Sequence, residues 1–283
     1  MKTKITAVNI YDLPKPAILY KYRDWAAPFH DSIIKNCQVY LAPPSSFVDE
    51  LDCKNESRFD LLTETQILSW YYTSSVESVE HRNYTTAQHI EFANEWLLKT
   101  PIRQPGFLEA EKIRSEKEFD GLFGVLSLTA DPENLAMWNH YGNKQTGFCV
   151  GFDSNILFEF VGGGGPVQYV DDLPVIMPMP FDSFEEVRFK QIYHKLKKWD
   201  FEKEYRTHKM SYHPQSRKER TITLRPEAYK EIIFGSKMTE KDKKDIIKVA
   251  IKIMPHVIFR QAVSTPDGLN IRIEPYLEPV EVK

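Results

Sequence analysis

Residues 199–206 run Trp-Asp-Phe-Glu-Lys-Glu-Tyr-Arg, with large rings at 199, 201 and 205 alternating with ionisable groups at 200, 202, 204 and 206. A period of two is the spacing of a β-strand with one face packed and the other open. Such a strand needs neighbours to take up its backbone hydrogen bonds and an apolar layer beneath its rings. On its open face Glu202, Glu204 and Arg206 stand in line. Two carboxylates and a guanidinium on one rigid edge form either a solvated strand face or the acidic end of a catalytic cleft.

The rest of the chain supplies the neighbours. Strand character marks residues 17–23, 38–42 (stopped by Pro43-Pro44), 122–129, 147–152, 167–170, 221–224 and 231–234. A terminal hairpin of 256–262 and 269–275 folds around Pro266-Asp267-Gly268. Helices fit residues 30–35, most of 58–100 and 108–118, and 185–198. Asp131-Pro132-Glu133 reads as the start of a helix over 134–141 ended by Gly142, and Thr239-x-x-Asp242 as a capping box opening a helix to 253. With no repeat and no linker, the pattern predicts one α+β domain over residues 1–283. A central mixed or antiparallel sheet carries helical insertions, the largest at about 58–118.

Composition narrows the function classes. Of 283 residues, 42% are hydrophobic and 27% charged, enough for a sizeable core. The net charge of −3 argues against nucleic-acid binding through overall charge. Residues 195–220, however, hold nine Lys/Arg against four Asp/Glu, so this segment is +5 and the remainder −8. Three widely spaced cysteines without a CxxC point to a reducing compartment. A polar N-terminus and the lack of any 18-residue apolar run leave a cytoplasmic protein with no membrane span as the expectation.

The familiar site signatures are missing. Gly162–Gly165 lack phosphate-loop spacing and read as a loop. Asp49, Asp52, His140 and the glutamates match no metal-ligand spacing, and Ser127 has no nucleophile elbow. Cys149 falls in a buried strand, as an inert thiol would. Two further segments compete with plain structural roles. Tyr20-Lys21-Tyr22-Arg23 puts two cations on one strand face, where snorkelling would also explain them. Met137-Trp138-Asn139-His140-Tyr141 gathers stacking and hydrogen-bonding groups on a short helix, where core packing of the aromatics is the commoner explanation.

These segments, in this order, resemble a bacterial family, domain-of-unknown-function family 2971. The matching residues are Leu19-Tyr20-Lys21-Tyr22-Arg23, Phe47-Val48-Asp49-Glu50-Leu51-Asp52-Cys53 (where that family tends to have FNDPFD), Leu126-Ser127-Leu128-Thr129, Met137 to Tyr141, Gly147 to Asp153, Tyr169, and Trp199 to Arg206. The similarity covers roughly residues 18–235. The family name carries no activity. A second resemblance does: a cation on the first strand and a late E-x-E at a strand start are similar to the core of ADP-ribosyltransferases.

That resemblance implies Glu204 as the catalytic carboxylate with Glu202 upstream. Lys21 or Arg23 takes the first-strand position, where His is more usual, and Tyr141 or Trp138 stacks on nicotinamide. It implies NAD as the substrate nucleotide, contacted by Tyr20, Lys21, Arg23, Asp49, Trp138, His140, Tyr141 and Arg206, with a macromolecular acceptor as a further partner. Other readings are a non-catalytic module that senses a phosphorylated ligand or a nucleic-acid end, and a phosphoester hydrolase with a metal at Asp49, Asp52 and Glu204. All the functional readings require these groups to line one cleft.

Overall fold

The computed structural model describes residues 15–99 and 101–277. It opens with β1 (Ile18–Arg23), α1 (Ser32–Lys35) and β2 (Gln38–Tyr40), followed by the helices α2 (Glu64–Glu77), α3 (Thr86–Lys99) and α4 (Pro105–Leu122). Next come β3 (Phe123–Thr129), α5 (Leu135–His140), β4 (Phe148–Asp153), α6 (Ser154–Val161), β5 (Gly165–Pro166) and β6 (Gln168–Val170). Then follow α7 (Phe184–Ile192), β7 (His194–Leu196), β8 (Glu204–Met210), β9 (Thr221–Thr223), β10 (Tyr229–Phe234), α8 (Glu240–Ile253), β11 (Ile258–Ser264) and β12 (Ile271–Pro275). No helix of the described residues is long and apolar enough to cross a membrane.

Eight strands form one mixed sheet in the order β12-β11-β10-β4-β1-β3-β8-β5, which makes the fold α+β as expected. All its ladders are antiparallel except β10–β11, joined by α8 as a parallel crossover must be. The period of two in β1 sorts the layers. Leu19 enters a core with Val150, Phe152, Ile232, Phe158 and Ile246, whereas Tyr20 and Tyr22 enter a second one with Cys149, Ile233, Met137 and Trp138. The helices of the 58–118 region have a core of their own, built on Phe59, Ile67, Tyr71, Ala93 and Ile102.

The sheet is split near its centre. β1 pairs with β4 over six residues but with β3 only at Tyr20 and Thr129. Farther along, Ala42 occupies the free edge of β3 and exchanges both backbone bonds with Val125, at 2.8 and 2.9 Å. On its other edge β3 pairs with β8 along its full length. A gap therefore opens between β1 and β3 beyond Tyr20. Where β1 ends, Gly147 lies so close that a Cβ there would meet the Arg23 carbonyl oxygen at 2.2 Å.

Four sequence expectations need correction. The predicted helix over 185–198 stops at Ile192, because residues 194–196 are captured in a parallel pair with β6. Residues 197–202 wind into a 3₁₀ helix instead of an extended strand, and Lys203 breaks it in the left-handed region at φ 43°. The cap of α5 is Asn134, whose side chain accepts from the Met137 N–H, and not Asp131. Strand β2 leaves the main sheet to pair with β9. The four-glycine stretch is a loop in its first half, and its end forms the edge strand β5.

Candidate functional site

Glu204 and Arg206 lie on one face of β8, yet that face is covered. Arg206 is 0% exposed and Glu204 5%. A segment around Asp52 and Cys53 and the carbonyl of Ile192 close over them. Arg206 donates to both Asp52 oxygens (2.7 and 2.6 Å), to both Glu204 oxygens (2.8 and 2.9 Å) and to Ile192 O (2.8 Å). The bidentate fork fixes both carboxylates in one plane, which Lys could not do.

Lys195 completes the cluster from β7. Its ammonium lies 2.6 Å from Glu202, 3.2 Å from Asp52 and 3.5 Å from Glu204. Three buried carboxylates thus face two cations, leaving one negative charge. Each ion has lost its hydration, so removal of one cation would cost about 3–5 kcal/mol.

The two glutamates are held in different states. Burial alone would raise Glu204, but Arg206 and Lys195 outweigh it and hold its carboxyl at about 2. Glu202 is raised above the ordinary glutamate range by burial and by the neighbouring Glu204, against the pull of Lys195 and Tyr141. The Tyr141 hydroxyl donates to Glu202 at 2.6 Å and, pushed up by burial and the Glu202 charge, stays protonated. Tyr169 accepts the Glu204 N–H at 2.9 Å, fixing the start of the strand.

Above the cluster, in the gap between β1 and β3, lies a cavity of about 330 Å³. β1 contributes Tyr20 to Arg23, β3 Val125, Ser127 and Leu128, and the 46–52 segment Phe47, Asp49 and Asp52. Glu202, Glu204, Lys195, Trp199 and Tyr141 line it as well. In a 3₁₀ helix residues i and i+3 eclipse, which sets Trp199 and Glu202 on the same side of the 197–202 turn. The Trp199 indole N–H is buried without a hydrogen-bond partner among the described residues.

The two β1 cations are the least compensated charges of this wall. Among the described residues the Lys21 ammonium bonds only the Ser127 carbonyl (2.6 Å) and Arg23 only the Tyr22 carbonyl (3.2 Å), and neither has a carboxylate within ion-pair distance. Burial, and then Arg23, push Lys21 down to about 7 despite Glu204 and Glu202. Burial takes Arg23 down to about 10, so it remains cationic at neutral pH. The cleft therefore pairs an anion-seeking wall with an ionised carboxylate floor.

No family model, curated protein or solved structure matches this chain.

Seven of the ten residues expected from sequence converge on the cleft: Tyr20, Lys21, Arg23, Asp49, Tyr141, Glu202 and Glu204. Three do not. Trp138 is fully buried, edge-on to Tyr22 at 4.9 Å with its N–H on the Pro132 carbonyl, and is core. His140 is exposed outside the cleft, with Phe201 6.0 Å away. Arg206 lies beneath the floor, where it holds the carboxylates and cannot reach a ligand.

Sequence reasoning missed Lys195, Ser127 and Trp199 as site groups. Lys195 was hidden by the helix extended to 198, although Ile192 to Leu196 alternates well enough to have suggested a strand. Asp52, considered only as a metal ligand, gives both its oxygens to Arg206. Among the described residues no three His, Cys, Asp or Glu side chains gather as a metal set. Three cations of the basic 195–220 segment, Lys195, Arg206 and Arg220, are buried and add nothing to its surface.

Proposed function

We propose that this cleft binds NAD and cleaves the bond between nicotinamide and ribose, transferring ADP-ribose to an acceptor. The observation that carries the reading is that one 330 Å³ cavity is lined both by two β1 cations that have no carboxylate within ion-pair distance among the described residues and by an ionised β8 carboxylate. A pyrophosphate supplies the anion that Lys21 and Arg23 lack. Fixed donors at that place cost no reorganisation when the ligand arrives.

Cleavage breaks the ribose C1′–N bond heterolytically. The electron pair leaves with the nicotinamide nitrogen and neutralises its positive charge, and the ribose passes through an oxocarbenium-like state, as in glycoside cleavage. Glu204, ionised well below neutral pH and rigid in the Arg206 fork, stabilises that cation without moving. The attacking hydroxyl or water must lose a proton. Glu202, with its raised carboxyl beside Tyr141, is the better acceptor for it. Trp199, Tyr141 and Phe47 confine the flat leaving group and limit water.

The test is nicotinamide release from NAD by the purified chain. Glu204→Gln keeps a hydrogen-bonding side chain and leaves two carboxylates facing two cations, so the fold survives. Its turnover should fall about 10²–10³-fold with NAD affinity little changed. Wild-type protein that neither binds nor cleaves NAD removes the reading.

A further inference from the structure

A second cavity, of about 450 Å³, adjoins the cleft and shares Arg23, His30 and Tyr40 with it as lining residues. Beyond this shared wall the chemistry changes. Among the described residues the second cavity's one lining carboxylate is Asp31, which is partly exposed and paired with Lys35 at 2.6 Å. Instead the Arg217 guanidinium lies 3.8 Å above the Phe29 ring and 5.0 Å from that of Tyr40. Asn36, Gln38, Ser32 and Thr221 add amides and hydroxyls around this stack. Phe29 is 64% exposed, and its backbone sits at φ 67°, an uncommon conformation for a bulky residue. Among the described residues Arg217 pairs with no carboxylate.

A planar cation layered on an exposed ring, edged by amides, is a surface on which a heterocycle stacks. The junction has the complementary character. Arg23 faces both cavities. His30 accepts the Asp24 N–H at 3.2 Å through Nδ1, which leaves its Nε2–H to donate. Burial and then Arg23 lower His30, so it is a neutral donor at physiological pH. Two donors at the waist between a carboxylate-floored chamber and a stacking chamber suit a phosphate bridge between two different halves of one molecule.

We infer that the second cavity is the subsite for the adenosine 5′-phosphate half of the dinucleotide, its base stacked on Arg217 and Phe29 and its phosphates held at Arg23 and His30. This rests on the NAD reading of the cleft and extends it: the protein selects dinucleotides over mononucleotides, through residues remote from the bond that breaks.

Titration calorimetry of the full chain with NAD, nicotinamide mononucleotide and AMP tests it, using Arg217→Ala and Phe29→Ala variants checked for unchanged melting temperature. The expected result is a loss of about tenfold in NAD and AMP affinity in each variant, with nicotinamide mononucleotide unaffected. NAD and AMP affinities unchanged by both substitutions overturn the subsite, as does an equal loss for nicotinamide mononucleotide. Failure of wild-type protein to bind NAD or nicotinamide mononucleotide removes the cleft reading instead; AMP binding sensitive to Arg217 would then mark the second cavity as a nucleotide site in its own right.

Discussion

Lys195 touches three carboxylates at once, and it is Arg206 that makes Glu202 and Glu204 unequal. Glu204 has Arg206 as well and stays ionised; among the described residues Glu202 has only Lys195 and a tyrosine hydroxyl, and it is raised. Paired carboxylates whose surroundings drive them apart are the pattern of divided acid–base roles. Lys21 adds a pH dependence whose sign is fixed. Its ammonium, lowered from 10.5 to about 7, is charged below that pH and neutral above it. NAD kcat/KM should therefore fall as pH rises through about 7, and Lys21→Met should weaken it and flatten this limb. Linkage gives stability the opposite trend: between pH 7 and 10.5 the unfolded chain binds the extra proton, so folding improves with pH across that window. Denaturant titrations at pH 7 and 9 on wild type and Lys21→Met check it, the variant losing this rise.

At the scale of elements, the site depends on how α5 and the 197–202 turn are tied together. Asn134 caps α5 and also donates to the Phe201 carbonyl, while Thr129 Oγ1 donates to Glu202 O at 2.6 Å. Asn134→Ala should cost about 1 kcal/mol, lowering the melting temperature by roughly 2–4 °C, and should loosen Tyr141 from Glu202. Calorimetry gives the first effect, and a larger loss in kcat than in NAD affinity the second. These elements also show what the sequence could convey. β1, β3, β4, β10, α8 and the terminal hairpin were legible because period, caps and turn residues agreed locally. The stretch 199–206 looked like one strand because its rings alternate, yet 197–202 is bound by long-range partners as a 3₁₀ turn and only β8 extends. Nor could local pattern show that the Glu204–Arg206 face is buried, since Asp52 and Cys53 reach it from 150 residues away in the chain.

Across the whole molecule, the split sheet brings the β1 cations of the first strand together with carboxylates from the latter third of the chain. The buried cluster beneath should dominate acid stability. Glu204, depressed from 4.5 to about 2, contributes stability that is complete above 4.5 and lost as pH falls towards 2. Glu204→Gln should show a flatter acid-unfolding profile across that window, followed by circular dichroism. Identical profiles would mean that Glu204 is not held by Arg206 and Lys195 as described. The same variant serves the most direct test of all, nicotinamide release from NAD at neutral pH, run beside NAD binding on both proteins. The expected result is release by wild type, with Glu204→Gln binding NAD comparably but turning it over at least 100-fold more slowly. Wild-type protein that gives neither release nor binding, or a variant as active as wild type, would contradict the account.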